Sequence, residues 1–355
     1  MMKILHIING LGSGGAEKLV VEICNELAGD YPTGLFLLEN KNSFFLEDID
    51  SKVKVFAKSS NRFNPLNILY LWKEIKNYDV IHAHLFPTLY YVAIMTLFYP
   101  KKKFIFTEHN TTNSRRNISF LNLFERVVYN RYDKVTCISA AVMRNISQWI
   151  GPAKNILLLY NFINEEKIRN FSRADMEELG FGNEDKIVVM VGSFNNLQKR
   201  QQDLINALDY LPLQYKALFI GGGDRLKEYE LLVKEKNLTN RVMFLGTRKD
   251  VYSILKASHF GVLASEWEGF GLVALEYMAC GIPALGSDVD GLNEVITDER
   301  CLFMKGNAAE LAQKMKYINE HVEVKKNILS AQSELAEKFN RSTYISKLLN
   351  IYNSR

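Results

Sequence analysis

Short apolar runs alternate with helix-length amphipathic segments along the whole chain. Most of these runs are about four to six residues long and continuously apolar, which is typical of strands covered on both faces. The thirteen predicted strands are 3–8, 34–38, 53–57, 80–85, 103–107, 134–138, 156–160, 187–192, 217–221, 242–245, 260–264, 282–285 and 301–304. The alternation predicts parallel sheets built from right-handed crossovers.

Thirteen strands exceed what one open sheet holds comfortably, so two doubly wound α/β domains are expected. The polar stretch 161–182 separates the two halves of the pattern. We therefore predict one Rossmann-like domain at 1–163 and a second at 164–335. The segment 336–355 is predicted to be a helix that packs back on the first domain.

Composition narrows the class of protein. The chain has 355 residues, of which 47% are hydrophobic and 24% charged, which excludes disordered and fibrous proteins. The net charge of +4 is too small to indicate a nucleic-acid binder. The four cysteines form no CxxC pair, and the N-terminus starts directly with a strand instead of a signal-peptide pattern. We expect a cytoplasmic protein.

The longest uncharged stretch, 85–100, contains Pro87 and is shorter than the roughly 20 apolar residues of a membrane-spanning helix, so a buried helix is predicted. It runs into aromatic residues followed by three lysines at 98–103. Two interpretations stay open for this segment: peripheral contact with an anionic membrane surface, or a solvated loop.

A glycine-rich loop at 9–15 follows the first strand and opens a helix, which is where backbone amides bind phosphate. Gly10, Gly12 and Gly15 match GxGxxG, and Glu39 lies roughly 20 residues beyond the loop, near where a ribose-binding acid is found. One hypothesis is therefore an NAD(P)-dependent oxidoreductase. The alternative is a tight turn without a ligand.

The densest group of candidate residues follows the strand 260–264. Glu268 lies in the loop, Glu276 in the helix that follows, and Gly269 and Gly271 lie between them. Glycines allow the backbone to face a ligand, and the first-turn amides of Gly271, Leu272 and Val273 suit a diphosphate. Carboxylates at this spacing suit the hydroxyls of a sugar and of a ribose.

This segment resembles the Glu-x7-Glu signature of the family-4 retaining glycosyltransferases of GT-B fold. Further matches occur in the right order and cover most of the chain: Gly14-Gly15-Ala16-Glu17, Asp79-Val80-Ile81-His82-Ala83-His84, Phe106-Thr107-Glu108-His109-Asn110, Ile138-Ser139, Asn161-Phe162-Ile163-Asn164, and Gly192-Ser193-Phe194 with Lys199. Ser193 stands where the family often has a basic residue, which would make Lys199 the main cation on the diphosphate.

The resemblance implies two Rossmann-like domains facing across a cleft. It implies retaining transfer of a hexose or N-acetylhexosamine from a nucleotide-diphosphate sugar, with UDP as the expected nucleotide. The acceptor would be a glycan or lipid-linked saccharide in cell-surface polysaccharide or glycoconjugate synthesis. No metal or other cofactor is expected. The DxD triplet formed by Asp288 and Asp290 is therefore not interpreted as a metal site.

The resemblance also implies roles for individual residues. His109, Glu268 and Lys199 are the expected catalytic residues. The expected donor-binding residues are Gly14, Gly15, Ser193, Lys199, Gly222, Arg248, Glu268, Gly269, Phe270, Gly271, Leu272, Val273 and Glu276. Arg115 and Arg116 either meet an acceptor phosphate or form a basic surface loop, and His82 and His84 are expected to pack in the core.

Two rival functions remain at this stage. The oxidoreductase would use Gly12 and Glu39 and would leave Lys199 and Glu268 without a role. A non-catalytic sugar-nucleotide sensor would bind the donor without turnover.

Overall fold

The computed structural model describes residues 1–41, 43–118 and 120–354, with Ser114 described by its backbone alone. The chain forms two compact units. The N-terminal unit comprises Met1–Asn161 and the chain from Ser342 onward, and the C-terminal unit comprises Phe162–Arg341. The predicted boundaries, after residues 163 and 335, lie two and six residues from these.

Each unit contains one parallel sheet. In the N-terminal unit the strands are β1 (Ile4–Ile8), β2 (Thr33–Leu37), β3 (Lys54–Ala57), β4 (Val80–His84), β5 (Lys103–Glu108), β6 (Lys134–Cys137) and β7 (Ile156–Leu158), in the order β3-β2-β1-β4-β5-β6-β7. In the C-terminal unit they are β8 (Lys186–Val191), β9 (Tyr215–Ile220), β10 (Val242–Phe244), β11 (Phe260–Leu263), β12 (Ala284–Ser287) and β13 (Leu302–Phe303), in the order β10-β9-β8-β11-β12-β13.

Helices connect the strands. They are α1 (Gly15–Leu27), α2 (Leu66–Ile75), α3 (Thr88–Met95), α4 (Leu121–Tyr129), α5 (Ala140–Ile150), α6 (Glu165–Arg169), α7 (Gln201–Ala207), α8 (Leu226–Glu235), α9 (Val251–Ala257), α10 (Leu272–Ala279), α11 (Ala308–Glu320), α12 (Val322–Lys338) and α13 (Arg341–Asn353). Most of α13 belongs to the N-terminal unit.

The two parallel sheets confirm the predicted two-domain α/β fold. Every predicted strand is present in the described part of the chain, within a few residues of its expected bounds. The reason lies in burial: the central strands are covered on both faces, and every residue of β1 and β4 is buried. Continuous burial requires continuously apolar sequence, which is the pattern that marks these strands.

The strand order creates a switch point in each sheet. The chain moves outward in one direction from β1 to β3 and then in the other from β4, and it does the same at β8 and β11. In such sheets the loops after the two strands at the switch point diverge and leave room for a ligand at the carboxyl edge. Because β8 and β11 are neighbouring parallel strands, the loops that follow them begin side by side at the same edge of the sheet. The same holds for the loops after β1 and β4.

Two helical predictions need correction. The segment 85–100 is a short helix over Thr88–Met95, and Leu97 and Phe98 beyond it are each 59% exposed instead of buried. The expected single helix at 336–355 is broken, because α12 ends at Lys338 and α13 begins at Arg341. Between them the Phe339 carbonyl accepts a hydrogen bond from the Ile163 amide at 2.9 Å.

Candidate active site

Lys199 and Glu268 meet at the switch point of the C-terminal sheet. Lys199 ends a 3₁₀ turn in the loop after β8, and Glu268 lies in the loop after β11, 69 positions further along the chain. The Lys199 ammonium donates to Glu268 Oε1, and the Ser265 hydroxyl donates to the same oxygen at 2.7 Å. Both side chains are largely buried, with 20% and 9% of their surfaces exposed.

The amino end of α10 adjoins this pair. Gly271 caps the helix with φ of 87°, a left-handed conformation that favours glycine. The amides of Leu272 and Val273 lie in the first turn and so have no acceptor within the helix, and both residues are half-buried. A helix amino end with such donors attracts an anion, and the Lys199 ammonium adds a full positive charge.

The loop that carries Glu268 is tied to its neighbours by backbone contacts. The Glu266 amide donates to the Gln198 carbonyl at 2.7 Å, and Gln198 Nε2 donates to the Trp267 carbonyl at 3.0 Å. Gly291 packs so close that a Cβ there would lie 2.4 Å from the Glu268 carbonyl oxygen. These contacts hold Glu268 against Lys199.

A charged cluster supports the same loop from its other side. Arg200, whose backbone is left-handed with φ of 49°, bonds Asp203 at 2.8 Å and Glu266 at 2.8 Å. Lys305 also contacts Glu266. The arginine therefore joins the start of α7 to the loop after β11.

The loop after β8 is tightly packed. Gly192 lies against Lys199, where a Cβ would be 3.0 Å from the lysine Cγ, and a Cβ on Gly221 would be 2.1 Å from the Gly192 carbonyl oxygen. The Ser193 hydroxyl accepts from the Asn195 amide at 3.2 Å. Ser193 thus shapes its own loop.

Three other donor-binding candidates of the C-terminal unit lie within α10 or in loops that follow strands. Glu276 is buried in the middle of α10, where the Tyr252 hydroxyl donates to its Oε1 at 3.1 Å. Gly222 follows β9, the neighbour of β8. Arg248 follows β10 and is held by Asp250 through hydrogen bonds of 2.8 and 2.6 Å.

The glycine loop of the N-terminal unit is covered by a carboxyl group of its own chain. Gly14 caps α1, and the Glu17 carboxylate folds back so that a Cβ on Gly14 would lie 2.3 Å from Glu17 Oε2. Burial raises the pKa of Glu17. Glu39, the candidate ribose acid, is paired with Arg62 at 3.3 Å. This geometry does not favour a dinucleotide at the loop.

Four histidines form a buried cluster in the N-terminal unit. His6 on β1, His82 and His84 on β4, and His109 after β5 are each at most 7% exposed. Burial lowers the pKa of His6 to about 3 and of His109 to about 4. Burial, and then the neighbouring histidines, hold the pKa values of His82 and His84 well below the usual range.

Arg115 and Arg116 have different surroundings. Arg115 Nε bonds the buried Glu125 at 2.5 Å, and Glu125 also accepts from Tyr90 and Trp149 at 2.7 Å each. Arg115 is therefore structural. Arg116 Nη1 donates to the Thr111 carbonyl, while its Nε and Nη2 are buried with no partner among the described residues.

Comparison with known proteins identifies the family. A family model described as Glycosyltransferase Family 4 matches residues 13–167, and one described as Glycosyl transferases group 1 matches residues 171–333. The chain is 30% identical over 295 residues to the N-acetyl-alpha-D-glucosaminyl L-malate synthase of Bacillus anthracis, covering 78% of this chain and 75% of that protein. The chain is a family-4 glycosyltransferase of the GT-B fold. The family predicted from the sequence is thereby confirmed, and the oxidoreductase hypothesis is not favoured.

Two further similarities span this glycosyltransferase from end to end. It is 26% identical over 361 residues to the N-acetylgalactosamine-N,N'-diacetylbacillosaminyl-diphospho-undecaprenol 4-alpha-N-acetylgalactosaminyltransferase of Campylobacter jejuni, covering 96% of each chain. Its fold matches Anabaena Alr3699/HepE, solved in complex with UDP and glucose, with a TM-score of 0.88, 23% identity and full coverage of both chains.

Several residues of the glycosyltransferase's candidate site were missed by sequence reasoning. Ser265 donates to the Glu268 carboxylate, and Gln198 donates to the loop that carries it. Glu17 covers the glycine loop, and His6 joins His82 and His84 in the buried cluster. Of these residues, only His6 could have been found from the sequence, because it lies in a predicted strand as His82 does. In the structure it occupies the register position opposite His82 in the parallel strands β1 and β4. The others depend on loop conformation, for which the sequence gives no periodic pattern.

No helix in the described part of the glycosyltransferase combines the length and apolar character that a bilayer-spanning helix needs.

The buried histidines are expected to make stability fall on mild acidification. The unfolded chain binds protons near pH 6.5, whereas the folded cluster stays neutral until near pH 4 or below. Between these values the unfolded state holds more protons, so the free energy of unfolding falls as pH falls, by about 1.4 kcal/mol per pH unit for each histidine. Urea unfolding of the N-terminal unit between pH 7.5 and 5 measures this slope.

His321, which is exposed at the start of α12, provides the control. A His321→Asn variant should keep the whole acid-dependent loss. A flat unfolding free energy between pH 6.5 and 5 would contradict the neutral cluster.

Proposed function

We propose that this protein transfers a hexose or N-acetylhexosamine from a UDP-sugar to a glycan or lipid-linked acceptor, with retention at the anomeric carbon. The observation that carries this proposal is the contact of the Lys199 ammonium with Glu268 beside the amino end of α10. The family relationship and the UDP bound to the similar Anabaena fold support UDP as the nucleotide.

The principal catalytic device is fixed positive charge at the leaving diphosphate. Breaking the bond between the anomeric carbon and the diphosphate oxygen develops negative charge on that oxygen. Preorganised donors aimed at such charge are usually the largest single contribution to catalysis. Lys199 and the amides of Leu272 and Val273 supply these donors from one edge of one sheet.

Glu268 orients the transferred sugar. The hydrogen bonds from Lys199 and Ser265 both reach Oε1, which leaves Oε2 for a sugar hydroxyl. The same contact holds the Lys199 ammonium before the donor binds. Glu276, eight positions on and buried in α10, is proposed to bind the ribose of the nucleotide.

The acceptor attacks from the face that the diphosphate leaves. The acceptor oxygen forms the new bond to the anomeric carbon while the bond to the diphosphate oxygen breaks, and the acceptor's proton passes to the departing diphosphate. His109 is proposed to contact the substrate. The Lys199 ammonium and the amides of α10 stabilise the negative charge of the leaving diphosphate, a role that a metal ion could otherwise have. The proposed reaction therefore requires no metal.

Alanine at either position of the Lys199–Glu268 pair is expected to abolish transfer with the fold intact, because each removes charge at the reacting centre. We expect kcat to fall at least about 100-fold in Lys199→Ala and Glu268→Ala. In Glu276→Ala, affinity for UDP should weaken about tenfold while residual turnover persists. Screening UDP- and GDP-sugars for donor hydrolysis, with calorimetric titration of UDP, provides the measurements.

Lys326→Ala serves as the comparison variant for loss of a cation, because Lys326 lies exposed on α12, where it pairs with Glu323. Wild-type turnover in both pair variants would overturn the proposal. So would thermal stabilisation of the protein by NAD and not by UDP.

The acceptor is proposed to carry an anionic group. Nε–H and Nη2–H of Arg116 form one edge of the guanidinium, the geometry that binds a phosphate or carboxylate through two parallel hydrogen bonds. Both nitrogens are buried without a partner among the described residues, in the loop that follows His109. The names of the two relatives contain L-malate and diphospho-undecaprenol, which supports an anionic acceptor.

Arg116→Gln is expected to raise the acceptor KM at least about tenfold and to leave donor hydrolysis unchanged, because the lost contact is to the acceptor alone. Initial rates with a lipid-diphosphate saccharide measure the effect. Arg131→Gln, which removes an exposed arginine just after α4, is the matched control. Equal acceptor KM values in the two variants would rule out the anion contact.

The protein is proposed to act at the cytoplasmic membrane face as a peripheral protein. Of the segment 98–103, Lys102 donates to the Lys76 carbonyl at 3.0 Å and Lys103 to the Ser354 carbonyl, so two of its ammonium groups are engaged. Helix α4 and the residue before it instead expose four large apolar side chains: Phe120 at 74%, Leu123 at 69%, Phe124 at 52% and Val127 at 62%. A contiguous apolar face beside exposed Arg126 suits a bilayer surface.

Leu123→Glu is expected to lower sedimentation with phosphatidylglycerol vesicles at least about threefold, because it places a carboxylate on the apolar face. Leu231→Glu, at a leucine of α8 in the C-terminal unit that is 57% exposed, should sediment like the wild type. Identical sedimentation of the two variants would count against membrane contact through α4.

A further inference from the structure

The histidine cluster is one continuous hydrogen-bonded chain. It begins at His109, whose Nε2 contacts His84 Nδ1 (3.2 Å), and His84 Nε2 in turn contacts His6 Nδ1 (3.0 Å). The Tyr352 hydroxyl then joins His6 Nε2 (3.3 Å) to His82 Nδ1 (2.7 Å). From His82 Nε2 the chain continues to Thr107 Oγ1 (2.7 Å), to Thr136 Oγ1 (2.7 Å) and to the Phe106 carbonyl (3.4 Å). All of these side chains are buried.

The sheet register and the last helix assemble this chain. Parallel pairing places His6 opposite His82, His84 opposite Thr107, and Thr107 opposite Thr136. Residues two apart on a strand point to the same face, which brings the two histidines of β4 together. Helix α13 supplies Tyr352, 270 positions beyond His82, as the group that joins His6 to His82.

The same rings could in principle hold a metal, since His6, His82 and His84 each offer a nitrogen and the three atoms lie within 4.8 Å of one another. All six of their ring nitrogens, however, have a partner in the chain. A metal would have to displace those partners, whereas the hydrogen-bonded chain leaves none of the six nitrogens unsatisfied. We therefore interpret the cluster as a hydrogen-bonded chain of neutral imidazole rings.

Such a chain has only two polarities. A neutral imidazole donates from one nitrogen and accepts at the other, and each hydroxyl has one proton to donate. Fixing the direction of one bond therefore fixes all the others. The Phe106 carbonyl fixes it, because a carbonyl can only accept: Thr136 donates to it, Thr107 donates to Thr136, and His82 donates to Thr107 from Nε2.

We propose that this chain sets the tautomer of His109, which donates inward from Nε2 and presents the lone pair of Nδ1 to a substrate hydroxyl. His109 Nδ1 is the open end, with no protein partner among the described residues. Tyr352 is a positioning residue, because without its hydroxyl the polarity fixed at Phe106 does not reach His6, His84 and His109. The substrate contact rests on the proposed function, whereas the tautomer does not.

The inference has a specific chemical consequence for the reaction. A ring that presents a lone pair accepts a hydrogen bond from a sugar or acceptor hydroxyl. It cannot donate to a phosphate oxygen at the same atom. His109 is thereby assigned to hydroxyl recognition, and the leaving diphosphate is left to Lys199 and the amino end of α10. Burial keeps the rings neutral, as the chain requires.

Proton-detected ¹⁵N spectra of the full-length protein labelled at histidine test the tautomer directly, because the two ring nitrogens have distinct shifts when protonated and unprotonated. The expected result is a proton on Nε2 and none on Nδ1 at His109. In Tyr352→Phe we expect His109 to become a mixture of tautomers. With donor and acceptor present, kcat should fall in proportion to the fraction of His109 that carries its proton on Nδ1, about twofold for an equal mixture, at unchanged UDP affinity.

Two comparisons separate positioning from general destabilisation. Tyr344→Phe alters another buried tyrosine of α13 and should leave the His109 spectrum and kcat unchanged. Thr136→Val removes the hydroxyl that reaches the Phe106 carbonyl and should mix the tautomers as Tyr352→Phe does, while Thr136→Ser restores both spectrum and kcat. The two Thr136 variants test the role of the hydrogen-bonded chain even if Tyr352→Phe fails to fold.

A proton on Nδ1 of His109 in the wild type would overturn the proposal. A pure Nε2 tautomer in both Tyr352→Phe and Thr136→Val would also overturn it, as would stoichiometric metal coordinated by the three core histidines. If the tautomer responds as expected but no sugar is transferred from any donor, the chain stands and the proposed function fails.

Discussion

The contact between Lys199 and Glu268 is the interaction on which the candidate site depends. It exists because β8 and β11 are neighbours at the switch point of a doubly wound sheet, so the loops that follow them emerge side by side. The contact neutralises two largely buried charges, and it leaves an ammonium group beside the donors of the first turn of α10. The paired carboxylate keeps this cation ordered, and in the proposed mechanism a diphosphate then competes for it. The same residues thus stabilise the loops and form the proposed anion site.

Two helices that follow switch-point strands, α1 after β1 and α10 after β11, differ at their amino ends. In the N-terminal unit the Glu17 carboxyl group folds over Gly14 at the start of α1, so a side chain of the protein itself covers that helix end. In the C-terminal unit, α10 begins after Gly271 with a lysine nearby and no carboxylate in its first turn. Similar strand orders therefore support different chemistry, and the side chains at the loops decide which helix end is suited to an external phosphate.

The fold was largely predictable because its strands are buried on both faces. Runs such as Ile4–Ile8 and Lys186–Val191 have to be apolar almost throughout, and this pattern is visible without a structure. Glu268 and Lys199 were predictable as candidates, since each follows such a strand. The bond of Ser265 to Glu268 and the left-handed backbone at Arg200 were not, because loop geometry is set by tertiary packing. The glycine loop at 9–15 was misjudged for the same reason: its sequence looks identical whether a ligand or the protein's own side chain occupies the helix end.

The buried histidine chain illustrates a constraint of another kind. Polar groups in a sheet core are costly unless each donor meets an acceptor, and half-satisfied networks are worse than apolar packing. Here the balance is achieved only when β1, β4, β5, β6 and α13 all contribute, so the last helix completes the core of the first unit. This links residues at the two ends of the sequence to the environment of His109.

Amide hydrogen exchange with and without UDP tests the central claim most directly. The account requires protection at 192–199 and 269–275 in the C-terminal unit, where Lys199 and the first turn of α10 would bind the diphosphate. Protection confined to the glycine loop at 9–15, or no protection at saturating UDP, would contradict it.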